Sequence, residues 1–207
     1  MSAATLAHGS PVGPEAASRT ARFGMIIFLA SEVMLFAGLI GAYIVLRFSR
    51  GEAWPPEGAP DIGLTWPLSS LNMVMLANTA VLISSSVFYL AAERSIKRGG
   101  TGLFWLLATL AAGATFLGVQ AWEWHHLANE ELWFNTFGIY GSCFFVMTGF
   151  HGVHVFIGLL LIFWVFLRQL FTRCYKPGHT VSFENVGLYW HFVDVVWIFL
   201  YTILYVL

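Results

Sequence analysis

Five ionisable side chains stand inside long apolar runs of this chain: Glu32, His151, His154, His191 and Asp194. A charge at bilayer depth costs about 2.5–3.5 kcal/mol on insertion scales, so such a group is paired, neutralised or functional. Glu32 lies roughly 13–14 Å along a helix that starts at Phe23, at about 1.5 Å per residue. Hydrocarbon favours its neutral acid form. Two roles stand side by side for it: a protonated carboxyl hydrogen-bonded to a neighbouring helix, or a proton-path member or lipid head-group contact.

His191 and Asp194 are three residues apart and share one helix face. A carboxylate there can fix the imidazole tautomer or stabilise its cation. The same pair could equally act as an interhelical polar clasp. Trp190, Asp194, Trp197 and Tyr201 follow 4-3-4 spacing, an aromatic stripe around the carboxylate. His151 and His154 repeat the three-residue spacing. Two such imidazoles can touch one metal, but a site needs further ligands. His191 and Asp194 could supply them, so a buried metal or a haem axial ligand stays open on geometry. Against it, His8 and His179 fall outside the apolar runs, which leaves few histidines for a membrane di-iron or haem bundle.

The elements that must hold these groups are read from composition. The 207 residues are 58% hydrophobic and 10% charged, with a mean hydropathy of +0.73. Soluble domains carry about 25% charged residues, so this is a membrane protein. Five charge-poor runs are long enough to cross a bilayer as helices of roughly 20 residues: 23–46, 67–92, 101–122, 136–167 and 184–207. Lipid tolerates no open backbone, and the ten-residue alternation of a β-barrel is absent from the sequence. The expected fold is an all-α integral membrane bundle of five transmembrane helices, with residues 1–22 as a flexible cytoplasmic tail and 23–207 as one transmembrane domain.

Arg19, Arg22, Arg94, Lys97, Arg98, Arg168, Arg173 and Lys176 fall on one side of the five runs, and only Arg47 and Arg50 on the other. Excess Lys and Arg mark cytoplasmic loops, which puts the N-terminus in the cytoplasm and the C-terminus outside. The two outer connections are then 48–66, with Trp54-Pro55-Pro56, and the acidic, aromatic 123–135. Cys143 lies within a span and Cys174 on the cytoplasmic side, so no bridge is expected. The net charge of −1 gives no reason to expect a nucleic-acid partner. Ala37-xxx-Gly41, Gly38-xxx-Ala42, the glycines of the fourth run and Ser84–Ser86 let helix backbones approach closely, inside the bundle or against a partner.

The strings FGMIIFLASEVMLFAG (23–38), LANTAVLISSS (76–86), GVQAWEWHH (118–126), YGSCFFVMTGFHGVHVFIG (140–158) and FENVGLYWHFVDVVWIFLYTILYV (183–206) carry a resemblance. Together they resemble cytochrome c oxidase subunit III of the haem–copper oxidases, from about Phe23 to the C-terminus.

That resemblance implies an accessory subunit of a proton-pumping terminal oxidase in aerobic respiration. It implies no catalytic residue, metal or cofactor in this chain, with haem and copper held by partner subunits I and II. It further implies packing on subunit I, support of proton uptake and catalytic lifetime, and bound structural phospholipid. Glu32 matches the family's intramembrane carbodiimide-reactive Glu, and His151, His154, His191 and Asp194 match its buried polar positions. The seven-helix members have two further N-terminal helices, which points here to a five-helix form in a bacterial plasma membrane. Subunit III of a quinol-oxidising haem–copper oxidase is the alternative within the class. A free-standing haem or metal membrane protein and a small transporter are alternatives outside it. Other respiratory-chain complexes are further candidate partners.

Overall fold

The computed structural model describes residues 13–49, 54, 56, 70–129, 138–178 and 180–206. Five helices account for nearly all of them: α1 (Pro14–Ser49), α2 (Ser70–Lys97), α3 (Leu103–Asn129), α4 (Ile139–Thr172) and α5 (Val181–Tyr201). The last continues into one π-helical turn, Thr202–Val206. All five are long and apolar enough to cross a membrane, and there is no strand among the described residues. The all-α membrane bundle read from composition is the fold.

The helix ends follow local chemistry. α2 closes on Arg94 and Lys97, cations that suit the negative end of a helix. Beyond them Gly99 adopts φ +87°, a left-handed conformation that costs glycine nothing. The N–H groups of Gly99 and Gly100 then donate back to Ile96 O and Ser95 O, both at 2.9 Å, and the helix ends. α4 ends where Arg173 turns left-handed, its N–H still reaching Gln169 O.

Four helix ends run five residues or more past the expected spans, those of α1, α2, α3 and α4, and two of them change the reading. α1 begins at Pro14, inside the stretch expected to be tail. α3 runs on to Asn129, so Glu123–Asn129 is helix rather than outer loop. The remainder of that loop, including Glu130, Glu131 and Trp133, lies outside the described residues, as do His8, Arg50, Trp66 and His179.

The chain runs up and down. At one face Arg22 of α1 and Lys97 of α2 both pair with Glu184 of α5, and Gln169 of α4 donates to Thr101 O ahead of α3. At the opposite face Trp54 Nε1 donates to Tyr43 of α1 and its ring packs edge-on against Tyr140 of α4. α5 is the middle of the bundle, packed on α1, α2 and α4, while α2 also packs on α3 and α3 on α4.

Lipid tails are as apolar as Leu, so interhelical cohesion comes from close packing and hydrogen bonds. The aromatic side chains supply both. Trp190 and Trp197 of α5 are fully buried. Their indole N–H groups reach Ser85 Oγ (2.9 Å) and Thr79 Oγ1 (3.1 Å) on α2. Tyr89 of α2 returns the contact, donating to Phe183 O at 2.8 Å.

α1 is different. Its buried apolar residues are Phe36 and Tyr43, Arg22 and Glu32 add polar contacts with α5 and α4, and most of its apolar surface faces outward. Ala37, Gly38, Gly41 and Ala42 are all exposed, and nothing lies within 4 Å of a Cβ built on either glycine. Among the described residues this small-residue face packs against nothing.

Candidate functional site

Glu32 and His154 meet across α1 and α4. Glu32 Oε2 lies 2.9 Å from His154 Nε2, and both side chains are largely buried. His154 Nδ1 lies 2.7 Å from Phe150 O one turn back. A carbonyl can only accept, so Nδ1 carries a proton and donates to it. Nε2 then offers a lone pair if the ring is neutral, and Glu32 must donate. If Nε2 is also protonated, Glu32 accepts as the anion. One proton is shared between the two, and either placement keeps both hydrogen bonds. Phe36 covers the imidazole edge-on at 5.0 Å, and Tyr189 donates to His154 O at 3.0 Å.

His151 parts from His154 despite the three-residue spacing. It is 1% exposed, stacked on Trp197 at 4.8 Å and edge-on to Phe116 at 5.9 Å. Neither ring nitrogen has a partner among the described residues. His154 faces α1 and His151 faces α3 and α5, so the two do not converge on a common point. Among the described residues, no three His, Cys, Asp or Glu side chains are gathered as a metal would need.

His191 and Asp194 share a face, as their spacing requires, and α2 supplies a residue between them. Ser86 Oγ lies 2.8 Å from His191 Nδ1 and donates to Asp194 Oδ2. Asp194 is 4% exposed. Ser86 was legible only as a small residue in a serine run, and its linking role depends on α2 and α5 being antiparallel neighbours. Trp190, Asp194 and Trp197 all meet α2, at Ser85, Ser86 and Thr79.

Two clusters were not foreseen. Glu123 of α3 is 0% exposed. It accepts from Tyr205 at 2.9 and 3.0 Å and from Gln120 Nε2 at 2.5 Å. The π turn that ends α5 carries Tyr205 to this position, and such turns add one residue per turn to the helix register. Gln120 and Glu123 at three-residue spacing were the available signal. The second cluster joins Arg22, Glu93, Lys97 and Glu184 at the face where α1 begins: Lys97 Nζ lies 2.5 Å from Glu93 and 3.1 Å from Glu184, which also pairs with Arg22.

These features define a multi-pass helical membrane protein whose buried polar groups link helices in pairs and hold no assembled ligand set among the described residues. The family model for cytochrome c oxidase subunit III matches residues 8–207. Cytochrome c oxidase subunit 3 of Thermostichus vulcanus is 41% identical over 193 residues, covering 89% of this chain and 86% of the relative. The Synechocystis sp. protein of the same name is 41% identical over 192 residues (89% and 75%). That of Loxodonta africana is 39% identical over 204 residues (96% and 72%). The chain belongs to the cytochrome c oxidase subunit III family.

Proposed function

We propose that this chain is the accessory, non-catalytic subunit III of a proton-pumping haem–copper oxidase in a bacterial plasma membrane, lying with its N-terminus in the cytoplasm. In this reading it packs on subunit I, beside subunit II, supports proton uptake and catalytic lifetime, and binds structural phospholipid. Haem and copper stay with the partner subunits.

The observation that carries the reading is the Glu32–His154 pair on the uncovered helix. α1 leaves the small residues Ala37, Gly38, Gly41 and Ala42 without a partner among the described residues, which suits a close approach by a helix of another subunit. The same helix holds Glu32 against His154 with a single shared proton, a form that can exchange protons or meet a lipid head group without ligating anything. His151, His191 and Asp194 serve as buried polar packing groups in this account. The eight-to-two split of Lys and Arg supports the orientation. The domain division follows it, with the first residues as a cytoplasmic tail ahead of one transmembrane domain.

An affinity tag on this chain tests the reading. It should recover subunits I and II with a haem spectrum from solubilised membranes. Recovery of the chain alone, with no oxidase, would contradict it.

A further inference from the structure

The Arg22–Glu184–Lys97–Glu93 cluster forms the mouth of a cleft of about 590 Å³ between α1, α2 and α5. Ile26, Leu90, Gly187 and Leu188 form its walls, and His191 lines its inner end. Behind it are two facing stripes at helical spacing. On α2 they are Lys97, Glu93, Leu90 and Ser86; on α5 they are Glu184, Gly187, His191 and Asp194. Because the helices are antiparallel, each stripe descends from the charged mouth toward the bundle interior. Glu184 to Asp194 spans roughly 15 Å along the axis.

The hydrogen-bond stoichiometry at the inner end is restrictive. Ser86 has one hydroxyl hydrogen and donates it to Asp194 Oδ2. Its oxygen therefore accepts from His191, and Nδ1 carries the imidazole proton. That leaves Nε2 as a lone pair, buried and without a partner among the described residues. Asp194 Oδ1 is likewise buried and unpartnered. A lone pair at the inner end of a cleft roomy enough for water, joined through a hydroxyl to a buried carboxylate, is an arrangement for moving a proton.

We infer that the α2–α5 seam is a proton inlet that loads Asp194 from the face where α1 begins, through His191 and Ser86. A hydronium in the cleft gives its proton to His191 Nε2, forming one N–H bond and leaving water. Nδ1–H breaks as its proton passes to Ser86 Oγ. The hydroxyl proton of Ser86 passes to Asp194 Oδ2, so the carboxylate becomes the acid. Imidazole and serine end neutral, with the imidazole in its other tautomer. The heavy atoms need not move, because the same two hydrogen bonds persist with reversed polarity. The charged groups facing this path are Arg22 from α1, Glu93 and Lys97 from α2 and Glu184 from α5; Tyr89 of α2 stands edge-on to His191 at 6.2 Å. The relay needs no electron transfer, so it is tested in the resting complex and independently of the accessory-subunit reading.

The experiment is infrared-monitored hydrogen–deuterium exchange on the intact complex at mildly acidic pH. The carboxylic C=O band lost in Asp194→Asn reports Asp194. In wild type this band should shift within seconds of transfer to heavy water. Ser86→Ala should slow the shift at least tenfold, and Ser86→Thr, which keeps the hydroxyl, should restore it. As a second arm, Leu188→Cys on the cleft wall should exchange like wild type until a bulky maleimide occupies it, and slowly thereafter. The same reagent on the parent complex controls for the other thiols. No band assignable to Asp194, equal rates in wild type and Ser86→Ala, or no effect of the blocked cleft would each overturn the inlet. Oxygen consumption by the same preparations reports the accessory reading separately.

Discussion

Gly158→Ala tests the packing that holds the polar groups in place. A Cβ on Gly158 of α4 would fall 2.7 and 2.8 Å from Trp190 Cε3 and Cζ3, and 3.3 Å from Tyr189 Cε1. Carbon atoms in contact prefer about 3.5–4.0 Å, so something has to shift by most of an ångström. The indole cannot retreat freely. Its Nε1 is already 2.9 Å from Ser85 Oγ on α2. The next corners of the same ring, Cη2 and Cζ2, lie 2.9 and 3.2 Å from a Cβ position on Gly113 of α3. Trp190 is thus wedged between two glycines and one hydrogen bond. Overpacking of this kind costs about 1–3 kcal/mol. Near 2 kcal/mol, the midpoint of heat-induced loss of this chain from the solubilised complex should fall by roughly 4–8 °C for a chain of this size. Gly113→Ala should cost less, since Leu159 at 2.6 Å can rotate away and the new Cβ approaches the Trp190 ring, at 2.9 and 3.2 Å, less closely than that of Gly158→Ala. Trp190→Phe in the Gly158→Ala background should recover part of the loss, giving a non-additive double-mutant cycle. A Gly158→Ala midpoint equal to wild type, or a strictly additive cycle, would refute the wedge.

Other outcomes follow from single contacts. Glu32 should be the principal carbodiimide target, because its acid form is the reactive one and Asp194 and Glu123 are more deeply buried; mass mapping of the labelled chain checks this. Glu32→Ala should leave the complex assembled and redox-active while reducing lipid retention, pumping efficiency or catalytic lifetime, and wild-type values in all three would reduce Glu32 to packing. Glu123→Ala strands Tyr205 and Gln120 in a buried site at a cost of about 1–3 kcal/mol, whereas Glu123→Gln keeps an acceptor and should cost less, as thermal midpoints would record. Cysteines at Arg98 and Glu57 should label from opposite sides of the membrane, Arg98→Cys from the cytoplasm; labelling of both from outside would contradict the topology, and exchanged sidedness would reverse the orientation.

The helices were legible because a spanning segment must be long, apolar and charge-poor, and those properties need no tertiary information. Their ends were less so. Glu123, Trp124 and the two histidines after them read as a polar loop, yet α3 carries Glu123 into the core because Tyr205 and Gln120 satisfy it. Tyr205 reaches it only through a π turn that no periodicity announces. The ionisable residues were visible individually from their depth, but their partners were not. Glu32 finds His154 from 122 positions away, and His191 and Asp194 meet through a serine on another helix. The spacing of His151 and His154 suggested convergence, and a turn of helix surface separated them onto different neighbours. The Arg22–Glu184–Lys97 cluster was visible only as the charge asymmetry that oriented the chain.

Depletion and reconstitution test the central claim, that this chain is an accessory subunit with no redox centre of its own. Detergent stripping should release it free of haem, copper and iron by metal analysis and absorption spectroscopy. The remaining subunits should still transfer electrons to oxygen, but lose activity over successive turnovers, and adding the purified chain back should restore the longer lifetime. Stoichiometric metal in the released chain, or electron transfer that disappears outright on its removal and returns with it, would contradict the account.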